Sequence, residues 1–262
     1  MNTHIITVAT HKEGKLNDLL DNSFNTNIKV LGMGEKWTGF KMKNELIYKF
    51  IKHIPDNELI IYLDGFDSEI KMNPQQAIER FKKNNYKLLF SKELGSNFFH
   101  IDTIVWPSCK GNTKGNSGLF MGYAKYMKLF MRETLKSKCK DDQVVMNSLC
   151  SKFDFIEIDM DENIFQNLKI SNGFKYNNKA VFVSYPGGLS FKRLYRSLFE
   201  YGQFVFLPLF FIYLSIIYFI STKKKLKHKY IYIIFISLLF SIYLFKADKS
   251  CMDYSMGIKH FI

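Results

Sequence analysis

Asp64 and Asp67 stand three residues apart at the end of Leu59-Ile60-Ile61-Tyr62-Leu63-Asp64-Gly65-Phe66-Asp67. A continuous apolar run of this kind reads as a strand of a parallel sheet covered on both faces. The carboxylates then fall at its C-terminal end, the edge where open α/β sheets bind ligands. Hard oxygen donors at such a turn suit Mg²⁺ or Mn²⁺, which keep waters and take substrate phosphates as well. A metal held there would neutralise a diphosphate leaving group as its bond to a sugar breaks. Acidic residues are also common at ordinary turns, so the spacing alone is a weak signal.

Further groups along the chain could serve such a site. Gly32, Gly34 and Gly39 do not keep the G-x-G-x-x-G spacing, because Gly39 lies five residues after Gly34; a Rossmann oxidoreductase is rejected. Glu35-Lys36-Trp37 between them suggests a binding loop in which Trp37 offers a stacking face. Asn116-Ser117-Gly118 precedes a strand, where small polar residues allow a close approach to a sugar or simply make a turn. Asp141-Asp142-Gln143 reads as a helix N-cap or as a pair of acids aimed at sugar hydroxyls. Pro186-Gly187-Gly188 ends a strand and offers backbone N–H groups to phosphate oxygens.

The elements that must position these residues follow from periodicity. Residues 4–9, 28–31, 59–63 and 87–91 read as strands. The stripes Leu16, Leu19, Leu20 and Leu46, Ile47, Phe50, Ile51, Ile54 read as helices, and Asn73-Pro74 opens a third with a capping side chain and a proline at its first position. This β-α alternation implies right-handed crossovers and a doubly wound sheet. Strands over 119–122, 153–158 and 180–184 and helices over 123–136 and 142–149 complete the domain.

The character of the chain changes after Glu200. Tyr201 to Thr222 is uncharged over 22 residues and Tyr230 to Phe245 over 16 more, with Lys223-Lys224-Lys225-Leu226-Lys227-His228-Lys229 between them. A membrane span takes about 20 apolar residues, so the first segment qualifies and the second is marginal. From Lys192 onward there are 11 Lys/Arg against 3 Asp/Glu, which is +8 of a formal net charge of +13. The basic excess therefore belongs mainly to the tail, where it flanks apolar segments, and only +5 remains on the first 191 residues. That fits a lipid surface better than nucleic acid, which would want a basic face on the domain and is not expected as a partner. Cys109, Cys139, Cys150 and Cys251 are widely spaced, form no CxxC pair and show no disulfide framework.

Six short motifs occur in a fixed order: Thr7-Val8-Ala9-Thr10, Gly34-Glu35-Lys36-Trp37, Asp64-Gly65-Phe66-Asp67, Asn116-Ser117-Gly118, Asp141-Asp142-Gln143 and Ile164-Phe165-Gln166-Asn167-Leu168. Over about residues 4–190 this series resembles the glycosyltransferase domain of the procollagen lysyl hydroxylases. No oxygenase domain is recognisable. The resemblance implies a GT-A-like α/β fold, a doubly wound mixed sheet flanked by helices, over 1–195. The remaining 196–262 forms a hydrophobic helical hairpin with helices near 201–222 and 230–246.

It also implies a retaining transfer of glucose or galactose from UDP-glucose or UDP-galactose to a protein or glycan hydroxyl, with Mn²⁺ or Mg²⁺ on Asp64 and Asp67. Thr10, Trp37, Lys41, Phe66 (a tyrosine in the family), Gly187 and Gly188 would seat the nucleotide. Glu93 and Trp106 would line the sugar pocket, and Asn116, Asp141 and Asp142 would position sugar or acceptor. The family's third metal ligand is a histidine in its last loop, whereas this chain reads Val183-Ser184-Tyr185-Pro186-Gly187-Gly188. That departure keeps two alternatives in view, an inactive sugar-nucleotide-binding protein and a carboxylate-metal phosphodiesterase. The hairpin predicts membrane association; a cytosol-facing domain is favoured, with a lumenal one as the alternative.

Overall fold

The computed structural model describes residues 2–94, 106–169, 172–186, 202–222, 229–246 and 250–251. Gly187 and Gly188 lie outside the described residues. A six-stranded mixed sheet carries the fold, with strand order β2-β1-β3-β6-β5-β7. The strands are β1 (Thr3–Val8), β2 (Ile28–Leu31), β3 (Leu59–Leu63), β5 (Leu88–Lys92), β6 (Gly115–Tyr123) and β7 (Ile156–Asp159). Neighbouring pairs are parallel except for β6, which runs antiparallel to both β3 and β5. A second, three-stranded sheet has the order β4-β9-β8, from β4 (Ser68–Ile70), β8 (Phe165–Asn167) and β9 (Phe182–Ser184).

All five residues of β3 are buried, because both faces are covered. Successive side chains of a strand point to opposite faces. Ile60 and Tyr62 accordingly join one cluster with Ile6, Val8, Phe90 and Phe120. This layer is closed by α2 (Phe40–Ile51), α4 (Ala124–Lys136) and α5 (Asp142–Cys150). Leu59, Ile61 and Leu63 join the other cluster, closed by α1 (Leu16–Leu20), α3 (Pro74–Lys83) and the apolar side of the small sheet. The predicted cap of α3 forms as expected: Asn73 Oδ1 accepts the amide of Gln75 at 2.9 Å, with Pro74 at the first helical position.

The mixed sheet expected from the sequence forms, with β6 inserted between β3 and β5 and antiparallel to both. Two features depart from the sequence reading. The strands β4, β8 and β9 form a small separate sheet, each strand three residues long. The cysteines pair as Cys109–Cys150 and Cys139–Cys251, across separations of 41 and 112 residues. A disulfide framework is therefore present where widely spaced cysteines suggested none; sequence spacing does not reveal which sulfurs the fold brings together.

Two further helices follow the domain, α6 (Gly202–Thr222) and α7 (Lys229–Lys246). They pack through Tyr213 stacked on Phe240 at 4.6 Å and through a 2.9 Å hydrogen bond between Tyr213 OH and Ser237 Oγ. Side chains are described at 209–222 and 230–244 of these helices. Over these described stretches alone, no helix is long and apolar enough to cross a membrane.

Candidate active site

Register places Asp64. In the antiparallel pairing of β3 with β6, Leu63 lies opposite Leu119, so the next residue meets Gly118. The Asp64 amide donates to Gly118 O at 2.8 Å. Gly65 packs where a side chain cannot go: an added Cβ would lie 2.8 Å from Val8 O and 2.9 Å from Thr7 Oγ1. Glycine thereby lets the turn after β3 press against β1, which brings Phe66 to the end of that strand. Phe66 sits 5.2 Å from the ring of His11, and Thr10 Oγ1 and His11 Nδ1 are 3.0 Å apart. Gly14, at φ +56°, lets Lys15 N donate to Phe66 O at 2.9 Å.

Asp67 meets the small sheet. Ser184 Oγ donates to Asp67 Oδ1 at 2.9 Å, and Tyr185 N donates to Asp67 O at 2.8 Å. The Tyr185 side chain turns elsewhere, with its hydroxyl on Glu69 Oε2 at 3.3 Å and Lys15 Nζ over its ring at 4.7 Å. Ser184 is therefore the side chain that the last strand presents to the acidic turn. Asp64 and Asp67 are half-buried. Among the described residues no cluster of three His, Cys, Asp or Glu side chains forms. The local donor set is two carboxylates and a hydroxyl, all hard oxygens. Such a set fits Mg²⁺ or Mn²⁺, which complete their shells with water and phosphate oxygens.

A buried polar network extends from Gly118. Its amide donates to Asn116 Oδ1 at 2.7 Å, and Asn116 Nδ2 donates to Glu93 Oε2 at 2.6 Å. Glu93 reaches Asn116 because a register shift between Phe90 and Ser91 sets Ser91 opposite Asn116. Its carboxylate forms an ion pair with Lys169, with side-chain exposures of 1% and 5%. Gln143 Oε1 accepts the Ser117 amide at 2.7 Å. Asp142 forms a second buried ion pair with Lys43 and accepts from Ser117 Oγ at 2.8 Å. Burial pushes the Tyr62 hydroxyl well above its ordinary value, and the charges of Asp64, Asp142 and Asp67 push it further.

The structure thus joins Asp64, Asn116, Glu93 and Asp142 through hydrogen bonds, and Asp67 to Ser184. Asp141 caps α5, its Oδ1 accepting from Val144 N at 2.9 Å. Trp106 is half-buried and packs against the core. Trp37 is 43% exposed, with an edge contact to Phe40, and Lys41 Nζ donates to Ser137 O at 3.2 Å.

Sequence reasoning missed His11, Lys43 and Lys169. Lys43 had a signal, since it stands four and eight residues before Ile47 and Ile51 and so shares their buried stripe. Lys169 had none; its partner lies 76 residues away.

The family profile described as PLOD GT domain matches residues 1–181. The chain belongs to this family. Among its relatives is the procollagen-lysine,2-oxoglutarate 5-dioxygenase 2 of Homo sapiens, 27% identical over 162 residues, which cover 53% of this chain and 21% of the relative. The multifunctional procollagen lysine hydroxylase and glycosyltransferase of Caenorhabditis elegans is 29% identical over 188 residues, 63% of this chain and 25% of the relative. The human protein of that name, LH3, is 27% identical over 191 residues with the same coverages. The chain therefore spans about a fifth to a quarter of these relatives' length and matches them over a PLOD GT, glycosyltransferase-like domain. The mixed sheet flanked by helices fits the GT-A-like architecture expected of it.

Proposed function

We propose that the chain is a metal-dependent retaining glycosyltransferase that moves glucose or galactose from a UDP-sugar to an acceptor hydroxyl, and that its tail holds it at a membrane. The observation that carries the enzymatic reading is the hydrogen bond that brings Ser184 to Asp67, three residues beyond Asp64 at the end of β3, beside a buried network leading from the Asp64 amide to Glu93. Family membership supports it, and the donor, the metal and retention are this chain's to demonstrate.

In this reading Asp64, Asp67 and Ser184 hold Mn²⁺ or Mg²⁺. When bound, that ion supplies positive charge to the departing diphosphate. Thr10, Phe66, Trp37 and Lys41 seat the nucleotide, with Phe66 in place of the family's tyrosine as a stacking face. Asn116 is held by Glu93, so its amide is fixed before a sugar arrives, and a fixed donor costs no reorganisation during reaction. Asp142 acts indirectly, orienting Ser117 while Lys43 balances its charge. Asp141 sets the start of α5 behind them. Glu93 and Asp142 are each committed to a lysine, so neither is presented as a covalent nucleophile. Front-face attack by the acceptor, with the leaving phosphate taking its proton, is then the route to retention.

The replacement of the family's histidine by Ser184 favours one second reading, a protein that binds UDP-sugar without turnover. One assay separates the two. UDP release is measured across UDP-, GDP- and TDP-sugars, with Mn²⁺ and with chelator. Mn²⁺-dependent release from UDP-glucose or UDP-galactose supports the enzyme, whereas UDP binding with no release under any condition supports the second reading. A sugar phosphate as product would indicate a phosphodiesterase.

A further inference from the structure

The outer surface of the tail hairpin is apolar on the sides away from the helix–helix contact. Phe211, Tyr218 and Phe219 on α6 and Ile231, Ile234 and Phe235 on α7 are 57–72% exposed. A helix that is apolar all round is covered by protein or by lipid, and monomeric soluble domains rarely leave so large an apolar patch bare. The whole helices are 21 and 18 residues long. At a rise of 1.5 Å per residue they measure about 31 and 27 Å, close to the roughly 30 Å of a bilayer's hydrocarbon core.

Two observations fix the sides. Ser250 and Cys251, just beyond α7, return to the domain: Lys140 N donates to Ser250 Oγ at 3.0 Å, and Cys251 is disulfide-bonded to Cys139. The chain thus leaves the domain before α6 and is tied to it again after α7, so both outer ends of the hairpin share the domain's side. The four cysteines pair as two disulfides, with none left free. Disulfides persist in oxidising compartments and are rare in the cytosol. Charge alone does not choose the orientation. In the sequence Lys192, Arg193, Arg196, Lys246 and Lys249 flank the outer ends of the two helices, and Lys223, Lys224, Lys225, Lys227 and Lys229 lie between them. The disulfides decide, and the lysine-dense connector is then placed against an anionic cytoplasmic leaflet, which attracts such segments.

We infer that the α6–α7 hairpin crosses a lipid bilayer twice, with the Lys223–Lys229 connector on the cytosolic face and the folded domain on the opposite, oxidising face. This takes up the lumenal alternative rather than the cytosol-facing domain favoured from the sequence. It rests on the membrane half of the proposed function and is independent of any catalytic activity.

The test uses the full chain in sealed microsomes, with trypsin added outside. Cleavage should occur in the connector while the domain stays protected. On a non-reducing gel the two products should run as one species, joined through Cys139–Cys251, and reductant should release the C-terminal piece. In Cys251→Ser the same cut should release it without reductant, with the domain still protected. Digestion of the domain from outside would overturn the orientation. Failure to cut the connector would overturn the double crossing. Wild-type fragments that separate without reductant would overturn the tether, whatever the variant does.

Discussion

Lys169→Ala removes the cation from a pair in which Glu93 is 1% exposed and Lys169 5% exposed. Removing one partner of a buried pair costs about 3–5 kcal/mol, since it strands the other charge. Glu93 keeps two amide donors, Asn116 Nδ2 at 2.6 Å and Gln143 Nε2 at 3.5 Å, so the lower end applies. For a domain of this size about 3 kcal/mol corresponds to a fall in Tm of roughly 6–12 °C. The assay is thermal unfolding of the full chain in detergent without reductant, so that both disulfides persist. A neutral double variant, Glu93→Gln with Lys169→Met, should recover more than half of the loss, because replacing both partners leaves no isolated charge. A single variant melting within about 2 °C of the wild type, or a double variant no more stable than the single, would refute the reasoning.

Two other outcomes follow. Ser184→His should lower the Mn²⁺ concentration needed for half-maximal activity, since imidazole binds Mn²⁺ better than a hydroxyl does. Tyr185→His should not, because that side chain faces Glu69 and Lys15; metal titration of both variants checks this. Burial raises the Glu69 carboxyl, but hydrogen bonds and charge from Lys15 and Lys71 outweigh it and hold it below its ordinary value of 4.5. A depressed folded value means that stability is present above the unfolded one and lost as pH falls through the folded one. The Tm difference between wild type and Glu69→Gln should therefore be present at neutral pH and shrink as the pH falls below 4.5; a difference independent of pH would contradict it.

Much of the sheet was legible because β1, β3 and β5 are buried on both faces and bear continuous apolar runs. The small sheet was not. Three-residue strands carry no periodicity, and β4 is also separated from β9 by more than 110 residues. Asp64 and Asp67 could be chosen from their place after β3. The choice between Ser184 and Tyr185 as the residue facing them could not, since a one-residue slip of a strand exchanges its faces. The hydrogen bond from Ser184 Oγ to Asp67 Oδ1 settles it. Asp141 illustrates the converse: it was marked both as a cap and as a sugar-facing acid, and the capping bond to Val144 N is the one observed. Cysteine pairing and the partners of Lys43 and Lys169 depend on contacts between elements distant in sequence, which no local pattern records.

The central claim is that Asp64 and Asp67 bind a divalent metal on which turnover of a UDP-sugar depends. Mn²⁺ binding and UDP release are measured side by side for the wild type, Asp64→Asn and Asp67→Asn, with thermal unfolding as a check on the fold. The account predicts that each asparagine variant keeps its fold, loses Mn²⁺ affinity by at least tenfold, equivalent to about 1.4 kcal/mol, and releases no UDP above the chelated control. Folded variants that bind Mn²⁺ and release UDP as the wild type does would contradict it.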